Sequence, residues 1–268
     1  MSIGKEAPIG PCALCRVVSP LIDSHIIPRW AYRRIAQDRP ERPVPVAVEN
    51  GVVMFQSKQL ADFLLCEPCE GIVKAWDDYG AEVSYDQGRF PALEHALAHV
   101  VADPFNSPRI TTTDLSLLDA GALVLFGTSV LWRAAACRKL CPTIRLGPYF
   151  EPFRSFLLSS GRQPFPNKAR LVLQLLNTPE TPQAQQIISK PAAGRHRTNR
   201  LFRVLLFGMS FELFVGGAAQ DLQRLDLCCL ARTKRAFVTD GYRHVPDLYN
   251  QAKRSTPKGA FAKHVGRS

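Results

Sequence analysis

Two Cys-x-x-Cys pairs constrain the fold of this chain more than any other feature of its sequence. Cys12 and Cys15 form the first pair, Cys66 and Cys69 form the second, and residues 16–65 separate them. A Cys-x-x-Cys turn holds two thiolates on one side of a tight loop, and two such turns complete a tetrahedral site. Because four thiolates leave no open coordination position, the sequence predicts a structural Zn²⁺. The alternative is that the two pairs lie in different places and that one of them is coincidental.

The composition indicates a chain that can build a core without disulfide bonds. It has 268 residues, and 46% of them are hydrophobic. Cys137, Cys141, Cys228 and Cys229 are interpreted as buried core thiols. The first ten residues lack the apolar centre of a secretory signal, and the apolar run 121–132 is shorter than the roughly 20 residues of a membrane span. We therefore expect a cytoplasmic protein with no membrane partner, in which cysteines favour metal over disulfides.

The excess of basic residues favours a polyanionic partner. The chain has 34 Lys and Arg against 23 Asp and Glu, a formal net charge of +11. Nucleic acid is the first candidate, with DNA preferred to RNA, and a protein partner is the second. Two clusters supply the predicted phosphate contacts: Arg29, Arg33, Arg34, Arg195, Arg197 and Arg200. The alternative is that these arginines are solvated, and Trp30 between them is expected to pack into the core.

Periodicity and turn residues predict an α+β protein. We expect helices over 29–37, 66–85, 93–103, 115–140 and 149–160. We expect strands over 51–56, 169–177, 185–189, 202–208 and 210–217. Asn50-Gly51 is read as a turn, and Asp114 as the cap of the helix over 115–140. The predicted organisation is a zinc module over residues 1–90, followed over residues 91–268 by a helical core, a small antiparallel sheet and a basic tail.

Cys12-x-x-Cys15, the sequence SHIIP at residues 24–28 and LLCEPCE at residues 64–70 together resemble the HNH endonuclease family in its zinc-stabilised form. The resemblance covers about residues 11–78. It implies a treble-clef, or ββα-metal, unit in which the four cysteines bind zinc. It also implies that His25 is the general base and that Glu70 helps to hold a catalytic divalent cation, Mg²⁺ or Mn²⁺, at the scissile phosphate.

The chain departs from the family pattern at two positions. Ser24 stands where a metal-binding Asp or His is usual, and a hydroxyl is a poor ligand for a hard cation. Ala61 falls near the position of the middle Asn, although Asp62 is adjacent, and Asp23 is a further carboxylate beside His25.

The resemblance implies a metal-dependent nuclease that hydrolyses phosphodiester bonds of DNA or RNA, with a role in defence against foreign DNA. The alternative is a non-catalytic zinc module that binds nucleic acid or a protein partner. His25 is then a structural residue that hydrogen-bonds within its turn.

Overall fold

The fold is mixed α+β, with the four motif cysteines clustered near the N-terminus. The computed structural model describes residues 7–37, 46–49, 52–55, 59–102, 110–178, 185–240, 254 and 256–258. The predicted turn at Asn50-Gly51 and most of the basic tail beyond residue 240 lie outside the described residues.

The N-terminal part is a three-stranded sheet followed by a long helix. Its elements are β1 (Ile9–Pro11), β2 (Val18–His25), α1 (Arg29–Gln37), β3 (Val46–Glu49), β4 (Val52–Phe55), β5 (Ala61–Cys66) and α2 (Glu67–Val83). The sheet order is β1-β2-β5, and both pairings are antiparallel. The register shifts between Ile22 and Asp23, which lie opposite Leu65 and Phe63. Leu64 is the extra residue of this bulge, and its carbonyl accepts a hydrogen bond from the Ala13 amide at 2.8 Å.

The C-terminal part packs helices on a larger sheet. Its elements are α3 (Pro91–Ala98), β6 (Val100–Ala102), β7 (Ile110–Asp114), α4 (Ala120–Ala136), α5 (Phe150–Leu158), β8 (Ala169–Asn177), β9 (Ala192–His196), β10 (Asn199–Leu206), β11 (Met209–Val215), α6 (Ala219–Gln223), α7 (Leu230–Thr233), β12 (Arg235–Asp240) and β13 (Thr256–Pro257). Within the described residues this sheet has seven strands in the order β6-β7-β12-β8-β11-β10-β9. It is therefore larger than the small sheet predicted, and it is mixed, because β12 runs parallel to β8.

Helix α4 packs against α2, α5 and α7 and is shorter than predicted. It begins at Ala120 because Asp119 is the true cap: its carboxylate accepts from the Ala122 amide at 2.9 Å. Asp114 instead accepts from the Ser116 amide at 2.6 Å and closes the preceding turn. Most of the helix is buried, as its apolar sequence predicts. Gly127 allows the close approach to β11, since a Cβ there would lie 2.2 Å from the Phe211 ring.

The predictions for individual elements have mixed outcomes. Helix α1 and strand β8 coincide with their predicted ranges, and α2 is confirmed with slightly different ends. The helix predicted over 93–103 is wrong in its second half, which forms β6. The strand predicted over 185–189 is also wrong: residues 185–186 form a helical turn, and the contact with β10 is an isolated bridge between Ile188 and Leu206 with a few flanking hydrogen bonds.

One cluster of buried apolar side chains extends through both parts of the molecule. It contains Cys12 and Leu65 from the N-terminal part together with Phe126 and Phe211 from the C-terminal part. The proposed boundary near residue 90 stays a prediction. In the described residues, no helix combines the length and the apolar character needed to cross a bilayer.

Candidate metal centre and histidine turn

The four motif cysteines converge on one point. Their Sγ atoms all lie within 4.8 Å of one another, and those of Cys15 and Cys66 are 3.7 Å apart. Two ligands of a tetrahedral zinc with Zn–S bonds of about 2.3 Å lie roughly 3.8 Å apart. The cluster therefore has the size of a four-cysteine zinc site, and the prediction that both pairs share one site is confirmed.

Local backbone geometry presents each cysteine pair. The turn between β1 and β2 carries Cys12 and Cys15, and it closes with hydrogen bonds of 2.9 Å from the Cys12 amide to the Val17 carbonyl and from the Arg16 amide to the Cys12 carbonyl. Arg16 takes the left-handed conformation that this turn requires, with φ 71°. Cys66 ends β5 and caps α2, which places Cys69 in the first helical turn.

The thiols need a cation in order to ionise together. Burial raises the pKa of Cys12, but the amides of Cys15, Cys66 and Leu14 outweigh it and lower that pKa to about 7. Burial and the neighbouring thiols raise the pKa of Cys69. Four clustered thiolates would repel one another in this partly buried site, and a bound dication would offset that repulsion. The donor set therefore fits Zn²⁺, with all four positions filled by the protein.

Ser24 and Glu70 meet beside the zinc cluster. The Ser24 hydroxyl is fully buried and donates to Glu70 Oε2 at 2.7 Å, and it accepts from the Leu65 amide at 3.3 Å. Strand β2 supplies Ser24 and the first turn of α2 supplies Glu70. Two motif positions that are 46 residues apart in sequence are thus in direct contact.

A glutamine holds the imidazole of His25. Nε2 of this half-buried side chain lies 2.7 Å from Gln59 Oε1. An amide oxygen only accepts hydrogen bonds, so with this contact we assign the donor role to Nε2, which leaves Nδ1 as the second ring nitrogen. Within the described residues, Nδ1 has no hydrogen-bond partner. Gln59 precedes β5 and belongs to no sequence motif, so its contact with His25 could not be predicted.

The other carboxylates near residues 24–28, which we call the histidine turn, do not form a metal-binding cluster with Glu70. Asp62 lies opposite Ser24 in the β2–β5 register, and its Oδ2 accepts from Cys137 Sγ at 3.2 Å. Asp23 is exposed. Within the described residues, the four cysteines are the only group of three or more His, Cys, Asp or Glu side chains close enough to share an ion.

Helix α4 also reaches the histidine turn. The guanidinium of Arg133 donates to the main-chain carbonyl of His25 at 2.6 Å and makes two bonds, of 2.7 and 3.0 Å, to the Asp77 carboxylate. Burial raises the pKa of Asp77 against the opposing attraction of Arg133, and Glu70 adds to the increase. The contact between Arg133 and Asp77 has no signal in the sequence, because they lie 56 positions apart and share no local motif.

The arginines of α1 have different environments. Arg29 and Arg33 are exposed. Arg34 points inward, where it donates to the Ser84 hydroxyl at 2.5 Å and to the Ala81 carbonyl at 2.8 Å near the C-terminus of α2. Its guanidinium also lies 4.7 Å from the centre of the Trp30 ring. Arg34 thus contributes to the packing of α1 on α2.

The second basic cluster lies on the hairpin of β9 and β10. Arg195 and Arg200 are directly opposite each other in the antiparallel register, and both are exposed. Like charges in such a pair repel. Arg197 is in the turn, where its guanidinium lies 3.7 Å from Asp221. Among the described residues, neither Arg195 nor Arg200 has an acidic partner.

Comparison of the chain with protein-family models, with curated proteins and with solved structures gave no match. The functional interpretation therefore depends on the geometry of the residues themselves.

Proposed function

We propose that the chain is a zinc-stabilised, HNH-like nuclease that hydrolyses phosphodiester bonds, with a treble-clef N-terminal module. The observation that carries this proposal is the contact of Glu70 with Ser24, the residue before His25, whose Nδ1 has no hydrogen-bond partner among the described residues. For such a reaction the protein must supply a carboxylate that binds a cation and a side chain that acts as general base.

His25 is the proposed general base. The Gln59 amide oxygen orients the ring and selects the tautomer assigned above, with the proton on Nε2, so that Nδ1 would take a proton from the attacking water. The water oxygen then bonds to phosphorus while the bond to the leaving sugar oxygen breaks, and that oxygen receives a proton from solvent.

Glu70 is the proposed ligand for a catalytic divalent cation, Mg²⁺ or Mn²⁺. Mg²⁺ is commonly held by one or two carboxylates together with substrate phosphate oxygens and water, so a single carboxylate is compatible with a substrate-dependent site. The bound cation would supply positive charge to the phosphate as negative charge develops there.

DNA is the proposed substrate, with RNA as the alternative. The support is the exposed position of Arg29, Arg33, Arg195 and Arg200, which leaves their guanidinium groups available to phosphates. The cytoplasmic location expected from the sequence is compatible with this substrate.

Cleavage of supercoiled plasmid tests the proposal. Zinc-loaded protein should nick plasmid when Mg²⁺, Mn²⁺ or Ni²⁺ is added and not without added cation. His25→Ala should lower the rate by roughly 10²–10⁴-fold, because a base that acts in the transition state affects rate more than folding. The control is His99→Ala, which removes an exposed imidazole at the end of α3.

The plasmid experiment has a clear negative outcome. Equal rates for wild type and His25→Ala, with zinc content and melting temperature unchanged, would refute the base assignment. A variant that loses both stability and zinc would identify His25 as structural.

The second candidate function is a non-catalytic zinc module that binds nucleic acid or a protein. The specific observation in its favour is that the Ser24 hydroxyl already donates a hydrogen bond to one oxygen of Glu70. The family pattern has a second cation ligand at the position of Ser24. Wild-type protein that binds DNA tightly but never cleaves it, with any of the three cations, would favour this candidate.

A further inference from the structure

Arg133 is a fully buried cation inside an apolar helix. Its side chain has 0% of its surface exposed, and that of Asp77 has 14%. Removing a charge from water costs several kcal/mol unless good geometry compensates. Here the guanidinium fork matches the carboxylate with two bonds, so the charge is neutralised and the plane of the guanidinium is fixed.

The guanidinium also contacts His25, besides weaker contacts of 3.4 and 3.5 Å with Ser129 of its own helix. Nη1 donates to the His25 carbonyl at 2.6 Å. The amide of the following residue, Ile26, donates to the Leu60 carbonyl at 2.8 Å. The peptide group between His25 and Ile26 is therefore held at both its oxygen and its nitrogen. Together with the Gln59 contact, this fixes both the backbone and the ring of His25.

We propose that Arg133 and Asp77 are positioning residues for His25. Arg133 holds the main chain from which the imidazole projects, and Asp77 holds the orientation of Arg133. The inference rests on the proposed function for its catalytic meaning, although the geometric claim is independent of cleavage. It places a necessary part of the histidine site on helix α4, outside the region that carries the motif.

The chain supplies a matched control in Arg170. This residue is also buried and paired with an aspartate, Asp226, and its Nη1 donates to the carbonyls of Asn167 and Ala169 at 2.8 and 2.7 Å. None of these groups belongs to the histidine turn. Arg170→Lys therefore repeats the chemical change of Arg133→Lys at a site of purely structural importance.

The test uses the zinc-loaded full chain with ¹⁵N-labelled histidine. Two-bond ¹H–¹⁵N spectra report the tautomer of each imidazole, and the His25 signals are assigned by their absence in His25→Ala. Wild type should show His25 with the proton on Nε2. Arg133→Lys keeps the charge but cannot make the bidentate contact with Asp77, so the His25 tautomer should become mixed. Asp77→Asn should do the same, and Arg170→Lys should leave His25 unchanged.

Cleavage measured on the same samples separates the two proposals. Arg133→Lys and Asp77→Asn should cleave at least tenfold more slowly, with zinc content retained. A changed tautomer in a protein that never cleaves would refute the nuclease and keep the positioning role. An unchanged tautomer in folded Arg133→Lys and Asp77→Asn would overturn the positioning role whatever the cleavage rate. Loss of zinc and folding in both variants, with Arg170→Lys intact, would also overturn it, because the pair would then be structural.

Discussion

At the scale of single residues, Ser24 determines how the carboxylate of Glu70 is used. Its hydroxyl is buried and satisfied on both sides, as donor to Glu70 Oε2 and acceptor from the Leu65 amide. Glu70 is half-buried, and a carboxylate that is partly removed from water is stabilised by such a donor or by a cation. The hydroxyl therefore stabilises the Glu70 carboxylate, and a cation would have to compete with this hydrogen bond.

Ser24→Asp should make the fold dependent on a divalent cation. Two carboxylates at this contact repel by about 4 kcal/mol at an effective dielectric constant of 20. We expect the zinc-loaded variant to lose about 2–4 kcal/mol of unfolding free energy without added cation and to regain part of it with Mg²⁺ or Mn²⁺. Urea denaturation with and without the cation measures this effect.

Ser24→Ala is the control for the aspartate variant. It removes the hydrogen bond without adding charge, so it should cost about 1–3 kcal/mol and show no response to Mg²⁺. Equal cation responses in the two variants would argue against a cation site at Glu70.

The residues of the histidine turn also show what sequence can and cannot predict. Cys-x-x-Cys spacing predicted the cluster of four cysteines because a short turn dictates which side chains share a face. Gln59 and Arg133 had no comparable signal. Arg133 lies 108 residues from His25, and only the packing of α4 brings the two together.

At the scale of elements, strong patterns were predicted well and short exposed strands were not. The apolar run of β8 is buried along nearly its whole length, which gave it a clear strand signal. Strand β9, with sequence AAGRH, is mostly exposed, and its sequence alone predicts a loop. It forms a strand because β10 pairs with it, and this tertiary effect overrides local propensity.

The hairpin of β1 and β2 and the start of α2 should depend on zinc. Purified protein should hold about one Zn²⁺ per chain, and its thiols should resist alkylation at neutral pH. Chelation should expose Cys12, Cys15, Cys66 and Cys69 to the reagent and melt these elements, because structural zinc supplies folding free energy. Mass spectrometry before and after chelation counts the modified thiols, and elemental analysis counts the metal.

The other buried cysteines are the internal control for the zinc experiment. Burial raises the pKa of Cys137 to about 11 and that of Cys228 to about 12. Both remain protonated, and therefore unreactive, while the C-terminal part stays folded. Alkylation of Cys228 as fast as Cys66 after chelation would mean that the whole chain unfolds with the metal. A folded protein with no zinc would refute the site.

At the scale of the whole molecule, the positions of the arginines determine which part of the net charge of +11 can contact a partner. Arg34, Arg133 and Arg170 are used inside the protein, in contacts with carbonyls or carboxylates. Arg195 and Arg200 are instead paired with each other across the hairpin. Their mutual repulsion is relieved if a phosphate lies between them, which makes this hairpin the strongest candidate for contact with nucleic acid.

Replacing Arg195, Arg197 and Arg200 by Ala should weaken DNA binding and flatten its salt dependence. Each phosphate contact contributes about 0.9 to the slope of log affinity against log salt concentration on duplex DNA. Arg197 is already close to Asp221, so we expect the slope to fall by roughly 2, mainly from Arg195 and Arg200. The control triple variant, Lys74→Ala with Arg89→Ala and Arg162→Ala, removes the same charge from exposed positions elsewhere. If general charge drives binding, both triple variants will change the slope equally; if the hairpin holds phosphates, only the first will.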